Sequence, residues 1–406
     1  MQQRAQPQLG RDFWIFWLGQ TISNFGSSIT QFALPLLTFR LTGSAMNLAL
    51  TTAATFLPYL LFGLVIGAWV DRLERKRLMI VVDTLQALTM AMVPLAAMLA
   101  VLNVFWLYAI AFMSSTLSIA FQAAEFAAIP SLVGQDDLVT ANGRIQASYS
   151  AATVFGPLVA GVLVAFLALP DLLLVDAATF LISAFMLFGV RTRFNSDIQA
   201  QKTKLRTAIV EGLRYVLHHP VLRAISIMMA IVNAVGATVF TQLVLFARQR
   251  LQATDSEIGF LYAAGSVGVI LISLLAGQLR RRWSFGTVAL GSLMISGLLN
   301  IMLAFTTSLW AAAVIWALFN GFAILFNINT GSLRQAIVPN ELLGRVITIA
   351  SVLATSAVPL GAFVGALAIE KTGDVVLVYA LIGLATVIIP GVFAFTALGR
   401  ADIHSS

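Results

Sequence analysis

The chain has 406 residues, no cysteine, three histidines and only 10% charged residues. Without thiols there is no disulfide framework and no thiolate chemistry, and the redox compartment cannot be read. His218, His219 and His404 all fall outside the long apolar runs, which excludes a histidine proton relay within them. No G-x-x-x-x-G-K-[ST] loop occurs, so the usual phosphate cradle for ATP is missing. An enzyme needs converging nucleophile, base or metal ligands, and no such set is present. The expectation is therefore no enzyme, no cofactor and no metal. The polar start, Met1 to Gly10, is followed by no small-residue cleavage site, so the first apolar run is expected to stay in the protein.

What the chain has instead is apolar residues, at 59%. A soluble protein carries roughly 45–50% apolar and about 25% charged residues. Twelve apolar runs can be traced, near 13–37, 46–70, 78–101, 104–128, 145–168, 172–190, 224–247, 257–279, 285–306, 309–328, 346–369 and 375–398. Each approaches the ~20 residues that a helix needs to cross ~30 Å of hydrocarbon. Strand-type alternation is absent, and backbone groups in lipid must bond within their own segment, which leaves helices. The fold class is an all-α membrane protein of twelve transmembrane helices, with the lipid bilayer as its first partner.

The few charges are not scattered. With the N-terminus placed in the cytoplasm, 20 of the 24 basic residues fall on the cytoplasmic side. The exceptions are Arg40, Arg248, Arg250 and Lys371. This positive-inside bias predicts both termini in the cytoplasm; a bacterial inner membrane is what the family resemblance given below implies. It also explains the net charge of +7 without a nucleic-acid partner.

The chain repeats itself. Val133-Gly-Gln-Asp136 aligns with Val338-Pro-Asn-Glu341, an offset of 205 residues in a chain of 406. The longest loop lies in the middle. The expected organisation is an N-tail (1–12), a six-helix half (13–192), a basic linker with an amphipathic helix (193–222), a second six-helix half (223–398) and a C-tail (399–406). Parallel halves of this kind characterise one class of transporters. In the linker, Leu205, Ile209, Leu213, Val216 and Leu217 recur at helical spacing between basic residues, as in a helix lying on the inner leaflet; a solvated hinge is the alternative.

Two motifs carry a resemblance. "GAWVDRLERKR" packs six charges into the seven residues from Asp71 to Arg77. It matches the major facilitator superfamily pattern G-x-x-x-D-R-x-G-R-[RK] at Gly67, Asp71, Arg72, Arg75 and Lys76, and departs at Glu74. "GRIQASYSAATVFGPLVAG" resembles the antiporter motif of helix 5 at Gly143, Gly156, Pro157 and Gly161, with Ala152 and Ala160 in place of glycines. The chain thus resembles the major facilitator superfamily over its whole length. "VDAATFLISA" and "EGLRYVLHHPVLR" are similar to the branch containing macrolide efflux proteins and the enterobactin exporter. The resemblance implies a conformational latch at the first motif, export rather than uptake from the second, and a monomer. It also implies a substrate path lined by helices 1, 4, 7 and 10.

Three carboxylates lie in or near the spans: Glu125, Asp83 and Asp176. Ionisable groups in a membrane are costly and default to functional candidates, so these are the candidate proton-coupling residues. Glu125 comes first because the resemblance puts helix 4 on the path, although anchoring near the cytoplasmic end is an alternative for it. The arginine motif that proton-coupled drug antiporters carry in helix 4 is missing from "SSTLSIAFQAAEF". Helix 1 is unusually polar, and Gln20, Asn24, Ser27 and Gln31 form one stripe. With Gln122, Asn233, Gln242 and Asn320 they are the candidate substrate cavity, whose amides and hydroxyls suit a small amphiphilic substrate. The expected function is proton-driven export of drug-like compounds. The alternatives are export of an endogenous product such as a siderophore, a lysophospholipid flippase, or a non-transporting receptor.

Overall fold

The computed structural model describes residues 9–70, 73–134, 137–194, 213–339 and 352–396, with 346, 349, 350 and 398 besides. The chain enters as α1 (Arg11–Thr42), α2 (Ala45–Val70), α3 (Arg75–Met98), α4 (Val104–Leu132), α5 (Leu138–Leu163) and α6 (Leu172–Gly189). It continues as α7 (Pro220–Thr241), α8 (Leu243–Arg250), α9 (Asp255–Arg282) and α10 (Phe285–Phe305). It closes with α11 (Leu309–Ile337), α12 (Val358–Thr372) and α13 (Val375–Phe393).

Among the described residues each of the twelve apolar runs is largely helical. Ten helical stretches among the described residues are long and apolar enough to cross a membrane. The α1 and α5 helices are not among those ten; α1 has 32 residues but too many Gln, Ser, Thr and Asn, and α5 begins in a polar turn. The seventh run is shorter than expected, because the helix turns at Gln242 and restarts as α8. Starts are set by side-chain caps: Asn103 before α4, a Thr254–Glu257 capping box at α9, Ser284, Ser308 and Asp374. Six of the eleven prolines sit inside helices, at Pro35, Pro58, Pro94, Pro130, Pro157 and Pro390. Such placements are tolerated in membrane helices, where neighbouring helices re-satisfy the freed carbonyls.

The helices form two compact units. In the first, α1 packs on α5 and α6, and α3 packs on α4 and α6. Its core gathers Phe16, Met79, Val82, Ala124, Ala128, Leu187 and Phe194. The second unit repeats the scheme: α7 packs on α12 and α13, and α10 packs on α11 and α13. Its core gathers Ile225, Met228, Phe285, Ala289, Leu293, Phe326 and Leu333. The repeat seen at 205-residue offset is therefore a repeat of helix pairings.

One boundary differs from the expected halves. Residues Gly43–Phe56, the loop after α1 and the first half of α2, belong to the second unit. They are held by polar contacts at the start of α2. Glu370 Oε1 accepts from Ser44 Oγ at 3.1 Å and from the Met46 amide at 3.2 Å, and Gln242 Nε2 donates to the Ala45 carbonyl at 2.8 Å. A carboxylate at a helix N-terminus meets unpaired N–H groups and the positive end of the dipole. The amphipathic linker lies largely outside the described residues. Residues 213–218 are helical, with Val216 buried beside Leu222, Val338 and Val346.

Candidate functional site

The charged motif after α2 is partly described. Gly67 lies within α2, while Asp71 and Arg72 lie outside the described residues. Arg75 and Lys76 open α3 and reach carbonyls. Arg75 Nη1 donates to Ala127 O at 3.0 Å and Phe194 O at 2.9 Å, and Lys76 Nζ donates to Val190 O at 2.7 Å. Those carbonyls sit toward the C-terminal ends of α4 and α6, where acceptors are left over and a cation is favoured. The Arg77–Glu74 pair at 2.7 Å is 84% and 53% exposed, so it contributes little. Asp12, at the start of α1, accepts from the Arg191 and Thr192 amides at 2.9 and 2.8 Å and from Thr192 Oγ1 at 2.7 Å. Burial pushes the Asp12 carboxyl up, but these hydrogen bonds outweigh it and hold the group below the usual carboxylate range.

Deeper in the first unit, α1, α3, α4 and α6 share a polar seam. Gln20 of α1 is 3% exposed and its Nε2 donates to Ser183 Oγ of α6 at 3.1 Å. Ser183 in turn bonds the Asp83 carboxylate of α3. Asp83 is buried, its Oδ2 meets no donor among the described residues, and Glu125 of α4 lies within electrostatic reach. Seven residues back along α6, about 10 Å by helical rise, Asp176 forms the second cluster. Its Oδ2 accepts from Thr30 Oγ1 at 2.5 Å, and Ser27 and Thr179 also bond it. A side chain at Gly26 would collide with Asp176 and Thr179, so only a glycine lets α1 come this close. Among the described residues no Lys or Arg pairs with Asp83, Glu125 or Asp176. Asp83 and Asp176 are met by hydroxyls.

The expected cavity residues divide. Gln20 and Gln242 are buried and bonded within their units, Gln242 at 0% exposure. Ser27 turns toward Asp176. Asn24 is half-buried and Gln31 exposed. Gln122 is exposed and donates to Tyr59 Oη at 3.3 Å. In the second unit Asn233 donates to Ala354 O at 3.1 Å and Asn320 to Trp316 O at 2.8 Å. Of the helix-5 glycines, Gly156 abuts Ser28 at the α1–α5 crossing, Gly143 has nothing within 4 Å of an added Cβ, and Pro157 and Gly161 are buried.

Residues 6–406 match the family described as Transmembrane secretion effector. The chain belongs to that family. It is 28% identical over 348 residues to the multidrug efflux pump Tap of Mycolicibacterium fortuitum, covering 83% of this chain and 84% of that protein. It is 26% identical over 372 residues to macrolide efflux protein A of Streptococcus pyogenes, covering 89% of this chain and 90% of that protein. Among solved structures, a bacterial homologue of the human lysosomal transporter Spinster aligns with TM-score 0.74 at 16% identity, over 96% of both chains. A bacterial homologue of the iron transporter ferroportin aligns with TM-score 0.74 at 18% identity, over 96% of this chain and all of that one. These two share its fold. The major facilitator resemblance read from the two motifs holds, and the protein is a multi-pass membrane transporter, not an enzyme.

Two residues of this secretion-family chain escaped the sequence reading. Ser183 looks like any small residue of α6, and only its placement between Gln20 and Asp83 gives it weight. Arg334 lies beyond the expected end of its apolar run at 328, yet the helix continues to Ile337, and Arg334 within it is 8% exposed. Two outcomes test the packing described here. Gly156→Ala forces Ser28 aside and should cost about 1–3 kcal/mol, read as a lower melting temperature of purified protein, while Gly143→Ala should not lower it; equal losses contradict the close crossing. For Asp12, whose folded carboxyl is depressed, the stabilisation is complete above the ordinary aspartate range and is lost as pH falls through the lowered value. Asp12→Asn should therefore melt below wild type at about pH 7, and the gap should narrow steadily as the pH is lowered below the ordinary aspartate range of about 3.9. A gap that persists in acid would show that the charge is not what matters.

Proposed function

We propose that this protein exports amphiphilic drug-like compounds by alternating access, in exchange for protons, as a monomer with both termini in the cytoplasm. The observation that carries the proposal is the Asp83–Glu125 pair, two carboxylates of neighbouring helices held in a polar seam with no basic partner among the described residues. Ionisable groups inside a membrane bundle without a counter-charge are costly and default to functional sites. A group in that condition can take up a proton from one side and release it to the other. Asp176 is the second candidate, but its three hydroxyl partners suit a fixed structural role as well as a titrating one. Similarity to proteins named as multidrug and macrolide efflux pumps, over more than four-fifths of the chain, supports the direction and the substrate class. Gly67, Asp71, Arg72, Arg75 and Lys76 are read as the inner latch, on the pattern of the motif and on the carbonyl contacts of the last two. Asn24, Gln31, Gln122, Asn233 and Asn320 remain the proposed polar lining.

The test is accumulation of a macrolide and of a cationic dye in expressing cells, with and without a protonophore, beside Asp83→Asn and Glu125→Gln. Expressing cells should hold less of at least one compound. Protonophore and either substitution should each remove most of that difference at unchanged membrane levels of protein. Export that survives the protonophore removes protons from the scheme. Export that survives both substitutions removes the carboxylate pair.

A further inference from the structure

The second unit holds a cation in an unusual setting. Arg334 is more than nine-tenths buried, and its Nη2 lies 2.9 Å from the Met229 thioether of α7. A thioether is a weak acceptor, and a guanidinium has five donors to satisfy. Among the described residues no carboxylate pairs with Arg334. Arg248, the partly buried arginine of α8, does pair with Asp255. A position near a helix C-terminus favours a positive charge, but it does not account for burying one away from water, which is costly unless a counter-charge arrives.

The surroundings indicate what could arrive. Trp316, Asn320, Ala323, Asn327, Thr330 and Arg334 recur at helical spacing and share one face of α11. On α7, Met229, Asn233, Gly236 and Phe240 do the same. Side chains of the two faces meet at both ends. Met229 touches Arg334 at one end, and Phe240 packs on Trp316 and Phe319 at the other, with ring centroids 5.4 and 5.7 Å apart. The eleven helical steps from Met229 to Phe240 span about 16 Å. Between the two ends there is room at Gly236, where an added Cβ meets nothing within 4 Å, and Asn327 is exposed. Phe240 itself is 47% exposed, its outer side uncovered by protein.

An aromatic end, room at Gly236 and a buried cation make an elongated site for a molecule that is apolar at one end and acidic at the other. We propose that this α7–α11 face binds amphiphiles carrying one acidic group, a carboxylate, sulfonate or phosphate, with Arg334 holding the acid and the exposed ring of Phe240, backed by the buried Trp316 and Phe319, holding the apolar body. It deepens the export reading above and rests on it for the direction of transport. Arg334 supplies the cation that an acidic group would need on this face.

The test uses two dyes that differ by one sulfonate, 8-anilinonaphthalene-1-sulfonate and N-phenyl-1-naphthylamine. Binding is read by fluorescence on the purified full chain in nanodiscs, with empty nanodiscs subtracted. Arg334→Gln should weaken the sulfonate about tenfold or more, as expected for loss of a charge-assisted hydrogen bond, and leave the neutral dye within about twofold. Arg334→Lys should restore part of the difference. Gly236→Leu, which fills the room there, should weaken both dyes. Equal loss of both in Arg334→Gln would mark the arginine as structural and overturn the proposal, as would no loss in either, or a wild type that does not bind the sulfonate. Binding is measured without a gradient, so failure of proton-driven export in cells leaves this result standing, and the reverse holds too.

Discussion

A carboxylate inside a membrane bundle without a counter-ion is the constraint on which the rest of the first unit depends. Burying such a group unpaired costs several kcal/mol, and every hydroxyl or amide aimed at it recovers part of that cost. Asp176 draws Thr30, Ser27 and Thr179 around itself, and Asp83 draws Ser183, which is held by Gln20. These contacts fix how α1 lies on α6 and how α3 approaches both. Gly26 is required at the Asp176 cluster for the same reason. A helix as polar as α1 can be kept in a membrane protein because its polar face is spent on this seam.

The second unit repeats the helix pairings with different chemistry. Where α1 meets α6 through carboxylates and hydroxyls, α7 meets α12 through glycines, Gly361 against Ala234 and Gly365 against Thr238. The seam with α13 is closed by Tyr379, whose hydroxyl donates to Val239 O at 2.8 Å and whose ring stacks on Phe246 with centroids 4.7 Å apart. Close backbone approach and ring stacking bring no titratable carboxylate into these contacts. The two units have diverged within one architecture: buried acids in the first, aromatic surfaces and one buried cation in the second. Proton handling in one and recognition of the exported molecule in the other would follow naturally from that division.

Much of this was legible in the sequence. Apolar runs located most helices, since a span in lipid has one structural solution, but missed the polar first turns of α5 and the last turns of α11; the 205-residue offset anticipated the repeated pairings. What escaped depends on long-range placement. Gln20 and Gln242 carry the same amide as a cavity residue, and nothing in their local sequence says that Ser183 and the Ala45 carbonyl are waiting for it. The turn at Gln242 is invisible because the apolar run continues through it. The transfer of Gly43–Phe56 to the second unit depends on Glu370, more than 300 residues away. Arg334 was misread because a charge at the end of an apolar run looks like a loop residue until the helix is seen to continue past it.

The most direct measurement of the central claim is proton release by the purified protein on addition of an exported compound, followed with a pH-indicator dye in weakly buffered detergent solution. If the Asp83–Glu125 pair holds the exchanged proton, wild-type protein releases protons in step with binding. Asp83→Asn and Glu125→Gln then bind the compound with release abolished or sharply reduced, while Asp176→Asn behaves as wild type. Undiminished release from both substituted proteins would contradict it, and the coupling proton would have to be sought elsewhere in the chain.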